Sequence, residues 1–214
     1  MAVVKQYSIF LLGLTFMALG IDLIVKSDLG TTPISSLPYV WSLAFPWTLG
    51  EFNFAVSFSF FLVQLLLLGR AFPRVQWLQL PMTFIFCLFI DLFMDMLANF
   101  HPEGYVLRFI VLLAGCLAMG IGVTCELVGK VVMLPGEGAV KVISDRWHWD
   151  FGKVKIAFDW TLVGLAAVSS LVFFQTVEGI REGTLISAFT TGLLVKCFMY
   201  FIMKSVFAHR LRQV

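Results

Sequence analysis

The second half of this chain restates the first at a fixed offset of 102 residues, which constrains it to two like halves packed together. Gly13, Met17, Gly20, Pro33, Val40, Ser42, Trp47, Gly50 and Ala55 land on Gly115, Met119, Gly122, Pro135, Val142, Ser144, Trp149, Gly152 and Ala157 without a gap. Each copy holds three long apolar runs: Tyr7–Val25, Phe52–Gly69 and Trp77–Leu97, then Val106–Val128, Val154–Gln175 and Thr184–Phe207. Each run is near the roughly 20 residues with which an α-helix crosses a bilayer. An odd number of crossings per copy turns the second copy upside down relative to the first, as in many membrane transporters. The expected fold is an all-α membrane protein of six transmembrane helices in one membrane domain. Residues 1–104 would form one three-helix repeat and residues 105–214 an inverted second, each with a short half-helix connector.

Composition supports the bilayer as solvent. The chain is 60% hydrophobic and 13% charged, too apolar to face water on all sides. The first run is too long and too poorly flanked for a cleaved signal peptide and belongs to the repeat, so it is expected to stay as a span. Basic residues set the orientation. With the N-terminus in the cytoplasm, Lys5, Arg70, Arg74, Lys130, Lys141, Arg146, Lys153, Lys155, Lys204, Arg210 and Arg212 fall inside, against Lys26, Arg108 and Arg181 outside. Both termini are therefore expected to be cytoplasmic. The net charge of +2 reflects that asymmetry, and no nucleic-acid partner is read from it.

Cys87, Cys116, Cys125 and Cys197 sit in apolar runs with no Cys-x-x-Cys pair, and His101, His148 and His209 fall in loops or the tail. Neither set has metal-ligand spacing, so no metal site or cofactor is expected. Gly13 and Gly20, with Gly115, Gly120 and Gly122, would allow close helix packing at the bundle centre.

Two connectors break the apolar pattern. Gly30-Thr-Thr-Pro-Ile-Ser-Ser36 reads as a helix start, with Thr32 as N-cap, Pro33 at the first helical position and hydroxyls to meet free backbone N–H groups. Pro135-Gly-Glu-Gly-Ala-Val-Lys141 has the same layout with different chemistry. Non-helical backbone at membrane depth needs protein around it or a cavity beside it. Two half-helices pointing at each other would therefore border a central polar site, with Thr31, Thr32, Ser35, Ser36, Gly136, Glu137, Gly138 and Lys141 as candidate solute-binding residues. Both connectors lying flat on opposite membrane surfaces is the competing arrangement.

Ionisable residues inside spans are costly and so mark candidate sites for ion coupling: Asp22, Asp91, Asp95, Glu126, Asp159 and Lys196. None has a charged twin in the other repeat. Structural pairs at helical spacing, Asp22 with Lys26 and Lys155 with Asp159, are the plain alternative. Asp91 and Asp95 share a helix face, and two buried carboxylates there would hold a proton between them. Lys196, about three turns from either end of its helix, is expected to meet Asp91, Asp95, Glu137 or a polar cavity.

The stretches Asp28-Leu-Gly-Thr-Thr-Pro-Ile-Ser-Ser, Trp77-Leu-Gln-Leu-Pro, Phe89-Ile-Asp-Leu-Phe93, Leu134-Pro-Gly-Glu-Gly, Phe151-Gly-Lys-Val-Lys and Glu178-Gly-Ile-Arg-Glu-Gly-Thr184 together resemble the YczE/YyaS/YitT family of bacterial integral membrane proteins. The resemblance implies a bacterial inner-membrane location and a compact helical bundle. By motif it carries over Asp28, Thr31, Thr32, Ser35, Asp91, Glu137, Lys141, Lys153, Asp159, Arg181 and Glu182. Cys87 departs from the small residue expected before the Phe-Ile-Asp-Leu stretch. Ending at Val214, the chain is expected to lack the soluble C-terminal domain of the YitT branch.

The function expected is proton-coupled secondary transport of a small polar or charged organic solute between the repeats. The alternative is a membrane subunit or regulator that binds a partner protein. Enzyme activity is not expected, since no histidine lies within a span to serve a nucleophile or metal. A homodimer is left open.

Overall fold

The computed structural model describes residues 2–211, and Arg212, counted above among the inner basic residues, lies outside them. The described chain is helical throughout: α1 (Ala2–Lys26), α2 (Pro33–Ala44), α3 (Leu49–Leu68), α4 (Gln79–Met96), α5 (Tyr105–Gly129), α6 (Pro135–Trp147), α7 (Phe151–Phe174) and α8 (Glu182–Leu211), with two short 3₁₀ turns between α3 and α4. Six of these elements are long and apolar enough to cross a membrane, so the protein is a multi-pass membrane protein. The 12-residue α2 and 13-residue α6 are too short to do so.

Local chemistry sets the helix starts. Thr48 caps α3 through a reciprocal pair, its hydroxyl accepting the Glu51 N–H at 3.1 Å while the Glu51 carboxylate accepts the Thr48 N–H at 2.8 Å. Asp150 caps α7 by accepting the Lys153 N–H at 3.0 Å. Pro33 and Pro135 open α2 and α6, where a missing N–H costs nothing.

The bundle is built around α1 and α5, which cross antiparallel. Gly13 faces the Gly122 carbonyl, and Gly20 faces the Gly115 carbonyl. A Cβ on Gly20 would stand 2.7 Å from the Met119 backbone nitrogen, and one on Gly122 would stand 2.6 Å from that of Met17. With no room for side chains, the two backbones meet directly, and dispersion contacts replace the hydrophobic drive that lipid cannot supply. Phe10, Leu14, Met17, Ile21 and Ile24 of α1 and Leu112, Cys116 and Met119 of α5 fill the core along this crossing.

The remaining helices pack on this pair: α4 on α1 and α3, α8 on α5, α2 on α3 and α7, and α6 on α3 and α7. The half-helices are thus wedged between spans and do not lie flat. The apolar side of α2, with Leu37 and Val40, meets Val56 of α3 and Leu162 and Ala166 of α7 in a second core. The outward faces keep large apolar side chains exposed, such as Leu88, Trp160, Val172 and Phe189, as lipid requires.

Candidate functional site

The half-helix tips come together at the equivalent residues Ile34 and Gly136. The Ile34 side chain lies against Gly136 so closely that a Cβ there would collide with it, and Phe60, midway along its span, stands next to both. The meeting point is apolar. Phe60 packs on Phe158 with ring centres 4.9 Å apart. The expectation of a polar space between Thr31–Ser36 and Pro135–Lys141 is therefore corrected: the tips converge, but bulky side chains of α2, α3 and α7 fill the point of contact. The polar groups lie to either side, in two separate sets.

The first set surrounds the tip of α2. Thr31 is tied down, its N–H donating to Thr184 Oγ1 at 3.1 Å and its carbonyl accepting from Ser187 Oγ at 3.1 Å. Thr32 is the N-cap as expected, yet its hydroxyl caps nothing. The Ser35 N–H turns instead to the Thr32 carbonyl at 3.1 Å, leaving Thr32 Oγ1 buried without a partner. Ser36 Oγ donates to the Pro33 carbonyl at 2.7 Å, and Ser35 Oγ reaches Asn53 Oδ1 at 3.4 Å. Pro38, inside α2, lacks the N–H that would close on the Ile34 carbonyl.

Asp22 of α1 is fully buried and neither carboxylate oxygen has a partner. Lys26, the neighbour expected to pair with it, sends its ammonium to the Ala98 carbonyl at 3.4 Å. Asp91 is accounted for otherwise: its carboxylate accepts the Gly50 N–H and the Thr48 hydroxyl, both at 2.8 Å, and so caps α3 from α4. Asp95 is exposed, so the shared-proton arrangement of Asp91 and Asp95 does not form.

The second set surrounds the tip of α6 and is charged. Glu126 of α5 is 2% exposed. Its Oε1 accepts the Leu134 N–H at 2.9 Å, while Oε2 has no partner. Glu137, in the first turn of α6, is half-buried. Burial pushes its carboxyl above the usual glutamate range, with Lys155 pulling it down and Asp159 pushing it up. Lys155 and Asp159 pair at 2.6 Å along α7, as helical spacing allows. Gly138 gives the Gln64 amide room to approach, and Gln64 Nε2 donates to the Pro135 carbonyl at 3.1 Å while exchanging hydrogen bonds with Gln79.

Two expected members stand apart. Lys141 pairs with Asp145 at 3.3 Å on the exposed side of α6. Lys196 is exposed on the face of α8 opposite α5 and pairs with no described carboxylate, because that helix turns its Leu194 side inward and its Lys196 side out. Sequence reasoning missed Asn53, Gln64, Gln79, Thr83, Thr184 and Ser187, all buried. Their signal was weak but present: an uncharged polar residue within an apolar run is costly to bury without a partner. Away from the tips, Asp28 binds Arg108 at 2.8 Å and lies 3.8 Å from Arg181, joining the α1–α2 loop to the starts of α5 and α8.

No group of three or more His, Cys, Asp or Glu among the described residues is placed to hold a metal ion. Two surface grooves flank the bundle at partly equivalent places. One, of about 270 Å³, is lined by Trp47, Glu51, Phe84 and Asp91. The other, of about 630 Å³, is lined by Trp149, Lys153 and Phe158.

The model of a family of unknown function, DUF6198, matches residues 4–200, and the chain belongs to that family. The chain is also 26% identical over 197 residues to the uncharacterized protein YyaS of Bacillus subtilis (strain 168), covering 91% of this chain and 92% of that protein. The YyaS-type membership expected from the motifs holds on these grounds. No solved structure matches the chain.

Proposed function

We propose that this member of the family is a proton-coupled secondary transporter of a small polar or charged organic solute, with two inverted three-helix repeats moving against each other. The observation that carries this reading is the convergence of two re-entrant half-helices at Ile34 and Gly136, together with buried carboxylates that have unpartnered oxygens, Glu126 at the α6 tip and Asp22 of α1. Short helices that enter between spans and point their N-termini inward are the parts from which such carriers build midplane sites. Their N-terminal N–H groups favour an anionic group, whereas Asp22, Glu126 and Glu137 favour a proton or cation.

The inverted repeat is supported by the packing. The crossing of Gly13 with Gly122 becomes that of Gly115 with Gly20 on exchanging halves, and the packing of α2 on α7 becomes that of α6 on α3. A plug of Ile34, Phe60 and Phe158 between two polar sets is what a closed stage of alternating access requires. The basic-residue asymmetry supports cytoplasmic termini, and the likeness to a Bacillus subtilis protein supports the inner membrane of a bacterium.

A thermal-shift screen of purified protein tests the reading, because a solute that binds the folded state stabilises it by mass action. Stabilisation by one solute class, abolished by Thr32→Val or Glu137→Gln, is the expected result. A second reading, a membrane subunit that binds another protein, is favoured by Lys196. An ammonium on an outward helix face within a span is costly in lipid and suits a partner helix bearing an acid. Co-purification of a stoichiometric partner that Lys196→Met releases would turn the assignment that way.

A further inference from the structure

The N-cap residue of α6 is Leu134, which has no side-chain acceptor to offer. Helices commonly solve this with a glutamate at the third helical position, whose carboxylate turns back to accept the N-cap N–H. The same chain does so at α3, where Glu51 accepts the Thr48 N–H. In α6 the third position holds Glu137, yet the Leu134 N–H goes to Glu126 Oε1 of α5 at 2.9 Å. Two carboxylates therefore stand where one backbone donor serves either. The one that holds it, Glu126, is 2% exposed and keeps its second oxygen, Oε2, unpartnered.

We infer that Glu126 is the proton-binding site of this protein, and that its protonation hands the Leu134 N–H from Glu126 to Glu137, releasing the tip of α6 from α5. The inference rests on the transporter reading and assigns its coupling group. The step is balanced by one proton. A proton from water adds to the Glu126 carboxylate, which becomes a neutral and weaker acceptor. The Leu134 N–H then bonds to the ionised Glu137, closing the capping box that its position already allows. Loss of the proton reverses the exchange.

The charged groups facing the pair are few. Lys155 and Asp159 of α7 act on Glu137, while α6 turns Lys141 outward to Asp145. From α1 the neighbours are Phe10 and Gly13, and from α3 the Gln64 amide, while the α8 side chains Leu194 and Phe198 pack higher on α5, at Gly120. Lys130, at the end of α5, is exposed. No basic side chain described there neutralises Glu126 directly.

The test uses the full chain in nanodiscs without solute, so that a failure to transport is separable from a failure of this switch. Spin labels at Lys130→Cys and Arg146→Cys, in a background with the native cysteines replaced, report the α5–α6 distance as pH is lowered. Wild-type protein should shift to a longer, broader distribution in acid, and Glu126→Gln, whose neutral amide stands in for the protonated acid, should hold that longer distribution at every pH. Glu137→Ala supplies an independent arm. It removes the second acceptor, so hydrogen exchange at Leu134 in acid, corrected for intrinsic rate, should be roughly tenfold faster than in wild type, as loss of a hydrogen bond to a charged group implies. A Glu126→Gln protein that follows pH as wild type does, a wild type that does not respond, or a Glu137→Ala protein with wild-type exchange in acid would each overturn the proposal. If Glu126→Gln does not fold, the Glu137→Ala arm decides alone.

Discussion

At the tip of α2 the polar groups are neutral: Thr31, Thr32, Ser35 and Ser36, with Asn53, Thr184 and Ser187 bonding to them from α3 and α8. At the tip of α6 they are ionisable: Glu126 and Glu137, backed by the Lys155–Asp159 pair, with the Gln64 and Gln79 amides alongside. Both tips begin at a proline and both are held by a neighbouring span, the start of α8 for one and Gln64 of α3, backed by Gln79 at the start of α4, for the other. The frame is common to the two halves while the chemistry on it is not. A scaffold that must pack twice keeps its glycines and prolines, and the positions that such packing leaves unconstrained are the ones where the halves diverge. In the proposed mechanism the α2 tip would meet solute through hydroxyls and N–H groups, and the α6 tip would meet the proton.

The shared frame is tested by breaking it on both sides. Leucine at Gly20 or at Gly122 would force a side chain against a backbone nitrogen less than 3 Å away. Overpacking of this kind costs about 1–3 kcal/mol, and the two losses in thermal unfolding should match. A large loss on one side only would mean that the crossing of α1 and α5 is not equivalent in the two halves.

The difference between the tips is sharpened by pH. Burial raises the folded-state Glu137 carboxyl above its unfolded value, so the folded state binds the proton more tightly. Stability from this group is greatest below the unfolded value and is lost as pH rises through the raised one. Glu137→Gln should flatten that part of the stability profile. Thr32→Val, at the other tip, should leave the pH dependence intact. It removes a buried hydroxyl that has no partner, so unfolding measured without solute should show a gain of about 1 kcal/mol together with weaker solute binding. The smallest loss is expected at Lys196, exposed on α8. Lys196→Met takes a costly ammonium off the outward face of a span, so stability should not fall, and a drop on unfolding would place its ammonium inside the bundle after all.

Much of the frame was legible in the sequence, because span length, glycine spacing and the Thr-Pro helix start each reflect a local constraint. Thr32 as N-cap and Pro33 at the first position came from backbone sterics alone. The orientation of side chains around each helix was not legible. Lys196 looked buried from its distance to the helix ends, but which face meets α5 depends on Leu194 and Phe198 packing on Gly120. Asp91 looked like an ion-coupling group until the start of α3 came to rest on it, a contact made across 41 residues of chain. The apolar plug was invisible for the same reason, since Ile34, Phe60 and Phe158 meet only in the assembled bundle.

The most direct measurement is proton movement driven by solute in proteoliposomes. Purified protein, reconstituted around a pH-sensitive dye, is challenged with a panel of the common amino acids, amines and small carboxylates, beside Glu126→Gln reconstituted at equal density. The result expected of a proton-coupled carrier is a dye response to one chemical class, saturable in solute and lost in Glu126→Gln. A wild-type protein that moves no protons with any class, or a Glu126→Gln protein that moves them as well as wild type, would contradict the assignment of proton-coupled transport to this pair of half-helices.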